Sequence, residues 1–218
     1  MPNRQSIIVE VKGETLELLP ERAIWWPAQK SLLIADLHLG KSGHFRSHGI
    51  AIPAKVNQTD LKKLRFLIDR LALDTIYFLG DLFHSSYNKE WEAFVALLTE
   101  KKKRYVLVKG NHDILKEEKY REAGLELVPQ GCEVGPFYLS HEPMEVYPSK
   151  KYPLVGHIHP GLRLVGNGRQ KLSLPAFAFG QKEGILPAFG TFTGLYILEP
   201  EEEDQLFVVA ERSVIRVG

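Results

Sequence analysis

Cysteine is nearly absent from the chain, and long apolar runs are absent altogether. Cys132 is the one cysteine among 218 residues, so an intrachain disulfide framework is excluded and a reducing compartment is expected. No stretch approaches the ~20 apolar residues that a helix needs to cross a bilayer. The N-terminus also lacks the apolar segment of a signal peptide. We therefore expect a cytoplasmic protein with no membrane partner.

An excess of one charge is also missing. The 28 Lys and Arg residues nearly balance the 27 Asp and Glu residues, which gives a formal net charge of +1. A broad basic field of the kind that marks many nucleic-acid-binding proteins is therefore excluded, and any contact with nucleic acid must be local. No linker rich in Pro, Gly or Ser divides the chain. We expect a single domain over residues 1–218.

Strand and helix patterns alternate in the first half of the chain, and strands dominate the second half. Alternating residues from Ile7 to Leu19 predict an N-terminal hairpin. Apolar residues at helical spacing predict one helix that begins at Pro53 and another from about Lys89. After Gly124 the pattern is mostly short strands and turns. This order predicts a four-layer αββα sandwich, in which two mixed β-sheets are flanked by helices.

Five polar motifs follow directly on five short apolar runs. In chain order they are Asp36-Leu37-His38, Gly80-Asp81, Gly110-Asn111-His112-Asp113, Ser140-His141-Glu142 and Gly156-His157-Ile158-His159. Short apolar runs that end at Gly or Asp are typical of core strands. Ligands at the carboxyl ends of such strands converge in one crevice. All eight histidines lie within or just after these motifs, which favours a shared chemical purpose over coincidence.

The motifs supply enough ligands for two metal ions. Carboxylates, an amide oxygen and imidazoles form a mixed set that suits Mn, Fe or Zn. Asp81 is the natural ligand to bridge two ions. Asp36 and His38 can reach one ion only if the chain turns there, because in a regular strand their side chains lie ~6 to 7 Å apart. Two carboxylates leave a surplus of positive charge that would attract phosphate, so the motifs predict hydrolysis of a phosphate ester.

The ordered motifs resemble those of the calcineurin-like metallophosphoesterase superfamily over residues 31–160. The resemblance implies in-line attack on phosphorus by a hydroxide that bridges two metal ions. It implies that His112 is a catalytic residue, which contacts the substrate phosphate or protonates the leaving oxygen. It also implies two metal sites that share one aspartate: Asp36, His38, Asp81 and His159 around one ion, and Asp81, Asn111, His141 and His157 around the other.

A narrower resemblance extends almost from end to end. The chain is similar to the bacterial DNA ligase-associated metallophosphoesterases in Asp36–Lys41, His44–Arg46, His48–Ile50, Gly80–Ser85 and Leu186–Gly194. This similarity implies a manganese-dependent phosphoesterase or phosphodiesterase whose substrate is a phosphodiester such as DNA or RNA. It also implies a role in DNA repair, with a functional association with a DNA ligase, a helicase and a nuclease.

The loop after the first motif is a candidate for substrate binding. It follows the first ligand pair directly and offers four basic side chains to a phosphodiester backbone: Lys41, His44, Arg46 and His48. Arginine in particular suits bidentate contact with phosphate. The alternative is an exposed polar loop.

Two further residues beside the motifs have two interpretations each. His84 lies three residues after Asp81 and either orients that carboxylate, which would place it at the edge of the substrate site, or caps its own turn. Asp113 either partners His112 or is the N-cap of a helix over Ile114–Arg121, and the N-cap is the simpler assumption.

Two other functions are compatible with parts of the pattern. A non-catalytic, metal-stabilised scaffold that binds partner proteins would usually lack a ligand or the catalytic histidine, and here every position is filled. A lipid-sugar pyrophosphate hydrolase has an opening motif that also resembles Asp-Leu-His-Leu, yet an amphipathic insertion facing the membrane is not evident.

Overall fold

The computed structural model describes residues 4–40, 55–84, 89–166 and 170–217. Within these ranges the chain forms two mixed β-sheets that pack face to face, with helices on the outside. This arrangement confirms the predicted sandwich of two mixed sheets and flanking helices. No helix in the described ranges is long and apolar enough to cross a membrane.

The first sheet contains the strands in simple sequential order. Its first four strands are antiparallel neighbours, and its last four strands run parallel to one another. The predicted hairpin is confirmed as its first two strands. The strands are β1 (Ile7–Val11), β2 (Glu14–Leu19), β3 (Ala23–Trp26), β4 (Ser31–Ala35), β5 (Thr75–Leu79), β6 (Arg104–Val108) and β7 (Leu125–Val128), with a 3-10 turn over Pro27–Gln29.

The second sheet is built from the C-terminal half of the chain. Its strands are β8 (Gly131–Val134), β9 (Phe137–Ser140), β10 (Tyr152–Val155), β11 (Pro160–Val165), β12 (Lys171–Phe179), β13 (Gly184–Ile185), β14 (Tyr196–Ile197), β15 (Gln205–Ala210) and β16 (Ser213–Val217). They are arranged in the order β14-β11-β12-β13-β10-β9-β8, while β15 pairs with β12 and β16. Strands β9 and β10 are parallel neighbours.

Three helices of the described ranges cover the outer face of the first sheet: α1 (Lys55–Arg70), α2 (Lys89–Lys101) and α3 (Glu117–Glu122). Leu64, Phe94 and Tyr120, one from each helix, are fully buried in the same apolar cluster as that face. The prediction that a helix begins at Lys89 is confirmed. Pro53, where the preceding helix was expected to begin, lies outside the described residues.

A second apolar cluster lies between the two sheets. Leu33 and Leu79 of the first sheet meet Leu139 and Phe177 of the second in this layer. Successive side chains of a strand point to opposite faces, and β4, β5 and β6 are buried on both. Their continuous apolar sequences follow from this double burial.

Candidate metal centre

The predicted ligands lie where strands of both sheets end. Asp36 follows β4, Asp81 lies two residues after β5, and Asn111 lies three residues after β6. Because these strands are parallel neighbours, their carboxyl ends share one edge of the first sheet. His141 and His157 follow the parallel strands β9 and β10 of the second sheet. The fold therefore brings all five motifs to one rim.

Hydrogen bonds join the two sheets across this rim. The backbone N–H of His157, which belongs to the second sheet, donates to Asp36 Oδ2 over 2.9 Å. The His141 ring reaches back to the first sheet, where its Nδ1 lies 2.9 Å from the carbonyl oxygen of Leu79. These contacts fix the relative positions of ligands that come from different sheets.

The backbone turns sharply at most of the predicted ligands. A positive φ angle is uncommon outside glycine, although Asn, Asp and His adopt it more readily than other residues. Such turns supply the geometry that a regular strand forbids, so that two side chains two residues apart reach one point. Five predicted ligands have this conformation: Asp36 (52°), His38 (48°), Asp81 (49°), His157 (65°) and His159 (52°).

The first ligand group consists of Asp36, His38 and His159. His159 Nε2 lies 3.2 Å from His38 Nε2 and 3.4 Å from Asp36 Oδ1. Atoms that share one ion at ordinary ligand distances of ~2.1 Å lie ~3.0 to 3.4 Å apart. Asp36 is fully buried, and its Oδ1 has no hydrogen-bond partner within the described ranges. A cation would satisfy that oxygen, so the group fits a metal ion.

The second ligand group consists of Asp81, His141 and His157, with the Asn111 side chain beside them. His141 Nε2 lies 3.2 Å from Asn111 Oδ1, 3.2 Å from His157 Nδ1 and 3.3 Å from Asp81 Oδ1. We assign the ring proton of His141 to Nδ1, which donates to the Leu79 carbonyl.

That proton assignment leaves the lone pair of His141 Nε2 facing two oxygens that also carry lone pairs. At most one contact of this nitrogen, from a protonated His157 Nδ1, can then be a hydrogen bond. Lone pairs that converge without a proton repel one another, and a cation at their centre removes the repulsion. The second group therefore also fits a metal ion.

Asp81 lies between the two groups and is almost completely buried. Its Oδ1 faces His141 of the second group, and its Oδ2 lies 3.7 Å from His38 Nε2 of the first. Each oxygen of one carboxylate thus faces a different group. This is the placement that a bridging ligand requires.

His112 lies beside the two groups rather than within them. Its backbone N–H donates to Asp81 Oδ1 over 3.0 Å, and its ring centroid lies 6.0 Å from that of His38. The His84 ring packs against the His112 ring with centroids 4.0 Å apart, and its backbone N–H donates to Leu39. The structure thus places His84 next to the predicted catalytic histidine.

The prediction that Asp113 is a helix N-cap is wrong. Helix α3 begins at Glu117, with Lys116 at its N-cap and no side-chain cap. The buried Asp113 carboxylate instead accepts the backbone N–H groups of Leu82, Phe83 and Gly110, at 2.9, 3.2 and 2.8 Å. Burial raises the pKa of Asp113 to about 6. Asp113 ties the loop of Asp81 to the loop of Asn111, a role that its position in the sequence does not signal.

Gly80 is required for the approach of the second sheet. Its φ angle is +73°, and a Cβ atom at this position would overlap the ring of His141. Any larger residue would therefore displace a predicted ligand. The glycine in the Gly80-Asp81 motif has this steric explanation.

The segment Leu186–Gly194, which carries part of the narrower resemblance, lies against the first motif. Phe189 donates its N–H to the Ala35 carbonyl over 2.8 Å, and Gly190 donates to the Asp36 carbonyl over 3.0 Å. These bonds support the backbone that carries the first predicted ligand. The segment is in turn held from α1 by the side chains of Asp60 and Lys63.

The basic loop predicted to contact substrate lies outside the described residues. This applies to four residues: Lys41, His44, Arg46 and His48. Their proposed contact with phosphate stays a prediction.

Comparison with known proteins identifies the family. The model of the calcineurin-like phosphoesterase family matches residues 30–201, and the chain belongs to this family. Among solved structures, the chain is similar to nuclease MPE of Pseudomonas putida, with 28% identity and a TM-score of 0.82 over 98% of this chain and 100% of that one. A protein of unknown function from Aquifex aeolicus shows 20% identity and a TM-score of 0.42 over 59% of this chain and 78% of that one. No curated protein matches the chain.

Proposed function

We propose that the protein is a two-metal phosphodiesterase that cleaves nucleic acid. The observation that carries the proposal is the position of Asp81, whose two oxygens face separate ligand groups. Two ions held there would lower the pKa of a bound water and offset charge on the phosphoryl oxygens. The mixed oxygen and nitrogen ligands suit manganese, iron or zinc, and manganese is the proposed metal because the chain resembles the manganese-dependent DNA ligase-associated metallophosphoesterases.

The protein's own residues hold and orient the reactants. Asp36, His38 and His159 form one metal site with Asp81, and Asn111, His141 and His157 form the other with the same aspartate. His112, beside both sites, is placed to contact an oxygen of the substrate phosphate or to give a proton to the leaving oxygen. The hydrogen bond from the His112 backbone N–H to Asp81 Oδ1 holds the backbone of His112 beside both sites.

The substrate class is inferred from the similar nuclease. That protein is described as a nuclease, and the match spans nearly all of both chains. We therefore propose a DNA or RNA phosphodiester as substrate, for a single domain over residues 1–218. By resemblance to the DNA ligase-associated metallophosphoesterases, we also propose that the protein acts in DNA repair in the cytoplasm. Its functional partners there would be a DNA ligase, a helicase and a nuclease.

The experiment is the hydrolysis of bis-p-nitrophenyl phosphate with Mn²⁺ by the wild type and by His112→Ala. Because His112 contacts Asp81 through its backbone, we expect the variant to keep its metal while kcat falls by roughly 10²-fold or more. Metal content by elemental analysis is the control. A rate near that of the wild type with metal bound would refute the role of His112. Failure of the wild type to hydrolyse any phosphodiester with Mn²⁺, Fe²⁺ or Zn²⁺ would refute the proposed function.

A further inference from the structure

A groove of about 310 Å³ opens beside the second ligand group. Asn111 and His141, which belong to the proposed metal site, also line the groove, so the two are continuous. The volume lies at the lower end of the range of roughly 300 to 1,000 Å³ that is typical of small-molecule sites. A substituent of a phosphate held at the metal site therefore has room to enter the groove.

The walls of the groove suit an uncharged group with one flat, apolar face. Pro129 and Met144 supply apolar surface, and Gln130 supplies an amide. Glu142 lies on the same wall, where its Oε1 is 3.9 Å from His157 Nδ1. A carboxylate in this position repels a second phosphate directly attached to the first. The groove thus favours a nucleoside over a pyrophosphate extension.

Lys109 adds a cation to the groove. It lies directly after β6 and two residues before Asn111, and its ammonium group is 3.4 Å from Glu117 Oε1 of α3. A lysine ammonium is a compact charge suited to phosphate. In a polynucleotide each nucleoside separates two phosphates, so a nucleoside in the groove would have one phosphate at the metal site and another near a cation.

We propose that this groove binds the nucleoside on one side of the scissile phosphate in a single-stranded nucleic acid, and that Lys109 contacts the next phosphate. The inference rests on the proposed function and defines its substrate more narrowly. An unpaired base has a free flat face that would pack on Met144 and Pro129, which supply the apolar lining of the groove.

The first test compares substrates with and without the second phosphate. The values of kcat/KM are measured for a dinucleotide with one phosphodiester and for the trinucleotide that has two. Thymidine nucleotides serve as the DNA form and uridine nucleotides as the RNA form. The preference of the wild type for the trinucleotide should fall by about tenfold in Lys109→Ala, the loss of about 1.4 kcal/mol of contact. Lys150→Ala, which removes an exposed lysine outside the groove, is the matched control and should keep the preference.

The second test measures binding without hydrolysis. A fluorescein-labelled single strand is titrated by anisotropy at several NaCl concentrations into Mn²⁺-loaded protein that carries His112→Ala, in which hydrolysis is slow. Loss of one phosphate contact should reduce the slope of log K against log salt by about 0.7 in Lys109→Ala. Met144→Ala should weaken binding several-fold and leave that slope unchanged.

The outcomes separate this inference from the proposed function. An equal preference of the wild type and Lys109→Ala for the trinucleotide, or an equal salt slope, overturns the groove assignment even if the wild type hydrolyses bis-p-nitrophenyl phosphate. Absence of all phosphodiester hydrolysis overturns the proposed function, while the salt slope still tests binding in the groove. A change in one arm only, DNA or RNA, identifies which nucleic acid the groove binds.

Discussion

The buried carboxylate of Asp113 connects two loops that carry proposed metal ligands. It accepts three backbone N–H groups, two beside Asp81 and one beside Asn111. Removal of the side chain would take from all three donors the acceptor that they have in the structure. The precision of the metal centre therefore depends on a residue that binds no metal in our proposal.

Asp113→Ala should lower the free energy of unfolding by about 3 kcal/mol or more, because each orphaned buried donor costs about 1 to 3 kcal/mol. Urea unfolding followed by circular dichroism measures this loss. Asp113→Asn keeps one acceptor oxygen, so its free energy of unfolding should lie between those of the wild type and Asp113→Ala. Stability of Asp113→Ala equal to that of the wild type would show that the three hydrogen bonds are not important for the fold.

The proposed ligands could be predicted from their residue types. The role of Asp113 could not, because it depends on tertiary contacts. Asp36, His38 and Asp81 carry chemistry that few structural positions need, so their types and order were informative. Asp113 stands just before a charged segment that suits a helix, and a helix cap was the reasonable local interpretation. Its three donors lie up to 31 residues away in sequence, and no local pattern encodes that contact.

At the scale of elements, the loops after the strands depend on close approach between the sheets. Gly80 and Gly124 both have a positive φ angle, of +73° and +84°. A Cβ atom at Gly124 would meet nothing within 4 Å, whereas one at Gly80 would overlap the His141 ring. The two glycines thus separate the cost of backbone strain from the cost of a steric clash.

Gly124→Ala should lower the free energy of unfolding by about 1 kcal/mol, the usual cost of alanine in a left-handed conformation. Gly80→Ala should lower the free energy of unfolding by more than this, because the ring of His141 must move. For the same reason this variant should bind less manganese. Thermal unfolding and elemental analysis of both variants test the prediction. Equal stability and equal metal content in the two variants would contradict it.

The segment Leu186–Gly194 is held by a charged pair on α1 that is poorly solvated. Lys63 Nζ lies 3.3 Å from Asp60 Oδ1 and 3.8 Å from the centroid of the Phe189 ring. Burial lowers the pKa of Lys63 from 10.5 to about 8, although Asp60 opposes the shift. The folded protein therefore disfavours the ammonium form of Lys63 relative to the unfolded chain.

This pKa shift predicts a pH dependence of stability with a definite sign. Compared with Lys63→Met, the wild type should lose stability as the pH falls from 10.5 to about 8, since the unfolded chain binds the proton first. The loss should reach up to about 3 kcal/mol. Urea unfolding of both proteins in metal-free buffer at pH 8 and pH 10 gives the difference. If the difference in stability between the wild type and Lys63→Met were the same at both pH values, the lowered pKa of Lys63 would be contradicted.

Element boundaries were predictable where the local pattern agreed with the fold. Strands β4, β5 and β6 are apolar on both faces and end at polar motifs, so the sequence identified them. Strand β12 contains Pro175, and proline within a sheet is usually confined to strand ends, edge strands and bulges, so the local pattern suggests an end there. The structure continues it to Phe179, and its pairing changes from β11 to β15 at Pro175. The two-residue strand β13 has no periodicity from which to predict it.

At the scale of the whole molecule, two sheets meet at one rim and each contributes proposed ligands. The first sheet supplies both aspartates, and the second supplies His141, His157 and His159. Neither sheet alone could complete a metal site. The order of the motifs predicted this convergence, but the contact between Asp36 and the backbone of His157 depends on packing that only the folded chain reveals.

Manganese content and activity, measured together, test the account most directly. Metal-free protein is loaded with Mn²⁺, passed through a desalting column and assayed on bis-p-nitrophenyl phosphate, beside Asp81→Asn and the exposed control Asp74→Asn. We predict two ions per chain and full activity in the wild type and in Asp74→Asn. Asp81→Asn should hold at most one ion. Its activity should fall by more than roughly 10- to 100-fold, which is the usual cost of losing a residue that only supports a metal ligand through a hydrogen bond. Full activity of the wild type with one ion or none, or two ions bound by Asp81→Asn with full activity, would contradict a centre bridged by Asp81.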